Sequence, residues 1–109
     1  MSTEPTDTLR WVRAACLDDV AGDEPIGIVV DGIEIALFND DGRIFALADR
    51  CTHGNAKLSD GFIEDGCIEC PLHQALFDLA TGEVRRGPAD EPVRSFNIRV
   101  DGDDIIVGL

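Results

Sequence analysis

The chain has 109 residues and 44% hydrophobic content, which suits one folded domain and excludes a disordered chain; no apolar run approaches the roughly 18 residues of a membrane helix. Its formal net charge is −13, from 22 acidic and 9 basic residues, a field that repels nucleic acid and anionic membranes and attracts a partner with a basic patch. Residues 1–8 are polar and acidic, without the basic and apolar regions of a secretory signal, so the expectation is a soluble cytoplasmic protein whose four cysteines are thiols or metal ligands rather than disulfides.

In chain order, residues 1–8 read as a loose tail and 9–109 as one domain without internal repeat or linker. Residues 9–15, with Trp11, form a first apolar stretch. A β-branched run over 26–30 is closed by Asp31-Gly32 and followed at once by 33–38, which predicts a tight hairpin. A four-residue turn over 39–42 leads to a strand at 43–48. Residues 62–64, the turn Asp65-Gly66 and 67–70 read as another hairpin, and 76–79 and 83–85 flank Thr81-Gly82. The segment 93–100 alternates, with one face mostly apolar from Phe96 onward, and Asp101-Gly102 turns into 105–109. No stretch has sustained helical periodicity, so short strands spaced by glycine turns predict an all-β sandwich or small barrel. Three segments, 51–61, 71–74 and 87–92, are loops, where sites on rigid β scaffolds usually sit.

Two motifs in those loops carry chemistry: Cys51-Thr52-His53 and Cys70-Pro71-Leu72-His73, in the pattern C-x-H-x16-C-x2-H, which takes in every histidine of the chain. Thiolates are soft, charged donors that stabilise ferric iron, and imidazoles are neutral donors. With Cys51 and Cys70 on one iron and His53 and His73 on the other, a [2Fe–2S] cluster is asymmetric, and the histidine-ligated iron takes the electron. Such ligation places the potential in a range of roughly −150 to +300 mV. The alternative is a zinc site drawn from Cys51, Cys67, Cys70 and a histidine. Strand-like Ile68 and the unusual Cys51-x-His53 spacing weigh against it, and Cys67 and Cys16 then read as packing thiols. Ser59, Asp60, Asp78 and Asp90, near the ligand loops, read as ordinary solvated loop residues.

The segments Cys51-Thr52-His53-Gly54, Ser59-Asp60-Gly61 and Ile68-Glu69-Cys70-Pro71-Leu72-His73-Gln74, with the Phe77-Asp78 and Thr81-Gly82 pairs, resemble the Rieske-type [2Fe–2S] ferredoxins of bacterial aromatic-ring-hydroxylating dioxygenase systems. The resemblance covers about residues 9 to 109. It implies a Rieske-type antiparallel β sandwich or barrel with a cluster-binding loop subdomain, one cluster at its tip, and a free monomer that is not itself an enzyme. Its implied partners are a flavin-dependent NADH:ferredoxin reductase as donor and a terminal oxygenase as acceptor. The high-potential Rieske proteins of respiratory complexes carry a disulfide between the ligand loops and a Ser and a Tyr that bond the cluster. Ala56, Leu72 and Ala75 stand at the corresponding places here, and the chain has no Tyr, which implies a low potential. Both histidines are used by the cluster, so none is left for a mononuclear iron site, and no G-x-G-x-x-G fingerprint for a nucleotide occurs. Two other functions stay open on the sequence: the Rieske-like small subunit of a nitrite reductase, and a zinc-stabilised interaction module.

Overall fold

The computed structural model describes residues 10–20, 24–52, 56–71, 74–87 and 91–109. The expected tail over 1–8 lies outside them. Ten strands form among the described residues: β1 (Trp11–Cys16), β2 (Ile26–Val30), β3 (Ile33–Asp40), β4 (Arg43–Ala48), β5 (Phe62–Glu64), β6 (Cys67–Glu69), β7 (Leu76–Asp78), β8 (Val84–Arg86), β9 (Ser95–Asp101) and β10 (Asp104–Gly108). Three of their hairpins turn on Asp-Gly. Asp31–Gly32, Asp41–Gly42 and Asp65–Gly66 each hold both residues at positive φ (52° and 80°, 55° and 92°, 52° and 77°). That turn matches the right-handed twist of the strands it joins, and Asp and Gly tolerate its left-handed backbone.

The strands pair antiparallel into a six-stranded sheet, ordered β1-β10-β9-β4-β3-β2, and a four-stranded sheet, β5-β6-β7-β8. The edge strands β1 and β2 approach each other, so the larger sheet curls into a nearly closed barrel. Ile35, Leu37, Ala46, Phe96, Ile105 and Val107 fill its interior. The smaller sheet lies over the outside of β3 and β4, where Ala36, Phe38 and Leu47 pack with Ile68, Phe77 and Leu79. Residues Ile35 to Phe38 are therefore buried without a break, because alternate side chains face the two cores.

The structure adjusts some boundaries. β3 runs on to Asp40, and the turn contracts from four residues to two, with Asn39 Oδ1 accepting the Gly42 N–H at 2.8 Å. Leu17–Val20 and Leu58–Asp60 form single turns of 3-10 helix, too short to show a helical period in sequence. The apolar face expected from Phe96 onward fades along β9: Phe96 is buried, Ile98 half-buried and Val100 46% exposed. The pairing explains this, since β9 meets β4 only at Ser95 and Phe96 and beyond that has β10 alone as neighbour.

Candidate metal centre

Both candidate cysteines start a loop: Cys51 comes three residues after β4, and Cys70 directly after β6. Cys51 is 3% exposed and Cys70 fully buried, and both belong to the core between the two sheets. The loops are built alike. The Cys51 N–H donates to the Ala56 carbonyl at 2.9 Å, and the Cys70 N–H donates to the Ala75 carbonyl at 2.8 Å. Each closure spans five residues and pins the cysteine at the foot of the loop, with the motif histidine inside it. His53 and His73 themselves lie outside the described residues. No cysteine is disulfide-bonded, and two buried thiols at matched positions are a donor set suited to soft or borderline metal. The residues present thus fit a [2Fe–2S] cluster.

Strand alternation turns Cys67 away from this set. Ile68 and Cys70 are buried while Cys67 and Glu69 are only half-buried, so Cys67 faces the opposite side of the sheet, beside its ladder partner Asp78. Burial there pushes the Cys67 thiol up from its ordinary value, with a further contribution from the Asp78 charge. A neutral thiol turned to the other face is no natural fourth ligand for zinc.

Of the polar residues read as solvated, two have structural tasks. The Ser59 N–H and hydroxyl both donate to the carboxylate of Asp49, at 2.7 and 2.8 Å. Asp49 is 2% exposed and sits two residues before Cys51; its own carbonyl accepts the Leu58 N–H at 2.7 Å. This clamp closes the base of the loop that starts at the candidate ligand Cys51. Asp78 accepts from the Ala80 and Thr81 N–H groups at 2.8 and 3.1 Å and from Arg85 at 2.7 Å. The Arg85 bond holds its carboxyl below the usual range, aided by the two turn N–H groups, against the opposing pull of burial. Asp60 is exposed as expected, and Asp90 lies outside the described residues.

Sequence reasoning missed Asp49 altogether; an acid directly after the strand at 43–48 and just ahead of the candidate ligand Cys51 was the available signal. It also missed how the third loop joins the site. The Thr52 hydroxyl, inside the first motif, donates to the Glu91 carbonyl at 2.7 Å. The Val93 N–H donates to the Gly82 carbonyl at 2.9 Å, so that loop is tied to the smaller sheet as well.

Comparison with known proteins bears on this arrangement. The chain matches the model of the Rieske [2Fe-2S] domain over residues 10–97. The ferredoxin component of the naphthalene 1,2-dioxygenase/salicylate 5-hydroxylase systems of Ralstonia sp is 43% identical over 94 residues, covering 86% of this chain and 90% of that protein. The ferredoxin of carbazole 1,9a-dioxygenase from Nocardioides aromaticivorans IC177 superposes with a TM-score of 0.84 at 36% identity, covering 89% of this chain and 95% of that one. A chain in the solved complex of reduced oxygenase and oxidized ferredoxin in carbazole 1,9a-dioxygenase has a TM-score of 0.81 at 28% identity, covering 89% of this chain and 91% of that one.

Proposed function

The chain belongs to the Rieske [2Fe-2S] domain family, and on that premise we propose that it is the low-potential ferredoxin of a ring-hydroxylating oxygenase system, with Cys51, His53, Cys70 and His73 as ligands of its one cluster. It carries electrons and is not itself an oxygenase, as its relatives are ferredoxin components of dioxygenase systems. The observation that carries the ligand assignment is the twin closure, Cys51 to Ala56 and Cys70 to Ala75, which sets the two cysteines at equivalent places.

The cluster, when bound, stores and releases one electron at a time. Cys51 and Cys70, both buried, would hold one iron, and His53 and His73 would hold the other. Leu58, Phe77, Leu79 and Val93 keep water from the cysteine side. Ala75 brings no hydroxyl to the site, and its carbonyl is engaged by the Cys70 N–H. With no Tyr in the chain either, both side-chain hydroxyls that stabilise the added charge in high-potential Rieske proteins are missing, which supports a potential near the lower limit of roughly −150 mV. The electron goes to a terminal oxygenase, in keeping with the solved oxygenase–ferredoxin complex. The donor in this reading is a flavin-dependent NADH:ferredoxin reductase, and the carrier is a cytoplasmic monomer. Among the described residues no helix is long and apolar enough to cross a membrane.

An electron paramagnetic resonance spectrum of the dithionite-reduced protein tests the ligand set. Mixed histidine and cysteine ligation gives an average g below that of all-cysteine clusters. A silent spectrum from protein holding zinc and no iron would refute it, and a midpoint potential well above zero would refute the low-potential assignment.

A further inference from the structure

The second ligand loop ends on an unusual residue. Gln74, bonded directly to His73, has φ of 65°, a left-handed backbone uncommon for any residue but glycine. It is held there from both sides. Its N–H donates to the Cys70 carbonyl at 2.9 Å, and its own carbonyl accepts Arg86 Nη2 at 3.1 Å. Arg86 reaches that carbonyl because β8 is bulged. Leu76 pairs with Arg86 and Phe77 with Val84, so Arg85 is an extra residue in the ladder. In a regular strand adjacent side chains face opposite sides, and one of the two arginines would enter the core that Phe77 and Ile68 fill. The bulge leaves both exposed. Arg85 is neutralised by Asp78, whereas Arg86 forms no ion pair with a described residue. Bulges of this kind often re-aim a side chain beside a site.

We propose that Arg86 is a positioning residue that clamps the second ligand loop through the Gln74 carbonyl and, by a charge paired with no described residue, favours the reduced state of the centre that the loop holds. This rests on the ligand assignment above. A positive charge held at the carbonyl of Gln74, the residue that follows His73 in sequence, stabilises the incoming electron. At an exposed position the effect is weakened by water and by salt. Its removal should lower the equilibrium constant for reduction two- to fivefold, which is about 20 to 40 mV at 59 mV per tenfold for one electron.

Direct electrochemistry at low ionic strength on the cluster-loaded wild type, Arg86→Gln and Arg86→Lys tests the charge. The Gln variant should show the two- to fivefold fall, and the Lys variant less than half of it. The gap between wild type and Gln should close as salt is raised toward 1 M. Equal potentials for wild type and Gln, or a fall in Lys as large as in Gln, would overturn the charge role. Release of iron to a chelator tests the clamp: Arg86→Gln should bleach faster than wild type, and an unchanged rate would overturn it. Should Arg86→Gln not retain the centre, Arg86→Lys carries this second assay, since an ammonium lacks the planar fork. A wild type without the mixed-ligand resonance would overturn the ligand assignment instead, independently of either variant.

Discussion

Asp49 shows what a single buried acid does in this molecule. Its carboxylate accepts twice from Ser59 and sits against Gly27, where an added Cβ would come within 2.6 Å of Oδ2. Asp49→Ala strands the Ser59 N–H and should cost about 2 to 3 kcal/mol, the usual range for losing a charged hydrogen-bond partner, while Ser59→Ala should cost only about 1 kcal/mol; chemical denaturation compares them. At Asp78 the sign of the pH effect follows from its depressed folded value. Its contribution is complete above the ordinary carboxyl value of about 3.9 and is lost as pH falls through the lower folded value. Wild type should therefore melt above Asp78→Asn at pH 7, and the difference should shrink as the pH is taken below about 4.

At the scale of elements, close approach matters more than turn type. Gly61 ends the 3-10 helix at Leu58–Asp60 and leads into β5, and a Cβ there would overlap the Glu69 carbonyl, a backbone atom next to Cys70. Gly42 needs its positive φ but has open space around it. Gly42→Ala should cost on the order of 1 kcal/mol, whereas Gly61→Ala must separate β5 from β6 and should cost about 3 kcal/mol or more. Thermal melts of the two variants, with iron content measured alongside, check the order. Loss of iron is expected from Gly61→Ala alone, because the displaced carbonyl belongs to the residue that precedes the proposed ligand Cys70.

For the whole molecule, charge and curvature set the behaviour. The net charge of −13 gives a field that speeds encounter with a basic partner and slows it with an acidic one. Bimolecular electron transfer to the oxygenase should slow as salt rises from 10 to 150 mM, where the Debye length falls from about 30 to about 8 Å; stopped-flow mixing measures it. A rate that rises with salt would place an acidic surface on the partner. The exposed ion pairs Arg13–Asp104 and Arg50–Glu34 sit on solvated faces and add little to stability. The fold is held instead by two cores on either side of β3 and β4.

Much of this was legible without coordinates, for a local reason. Asp-Gly turns act through their own φ angles, so the hairpins at 31–32 and 65–66 could be placed from neighbouring residues alone, while the turn read over 39–42 tightens to 41–42 because β3 pairs on to Asp40. Residue type and spacing likewise singled out Cys51, His53, Cys70 and His73 as the proposed ligands, and of these the structure describes the two cysteines. What remained hidden depends on how separate elements meet. That Cys67 faces away from Cys70 rests on strand phase at the start of β6. The burial of Ile35 to Phe38 on both faces exists only because the smaller sheet covers the barrel. Asp49 finds Ser59, and Arg86 finds Gln74, across a loop and across a bulged strand pair. Such contacts join residues ten or more positions apart, and their formation is decided by the packing of two sheets, which no local pattern encodes.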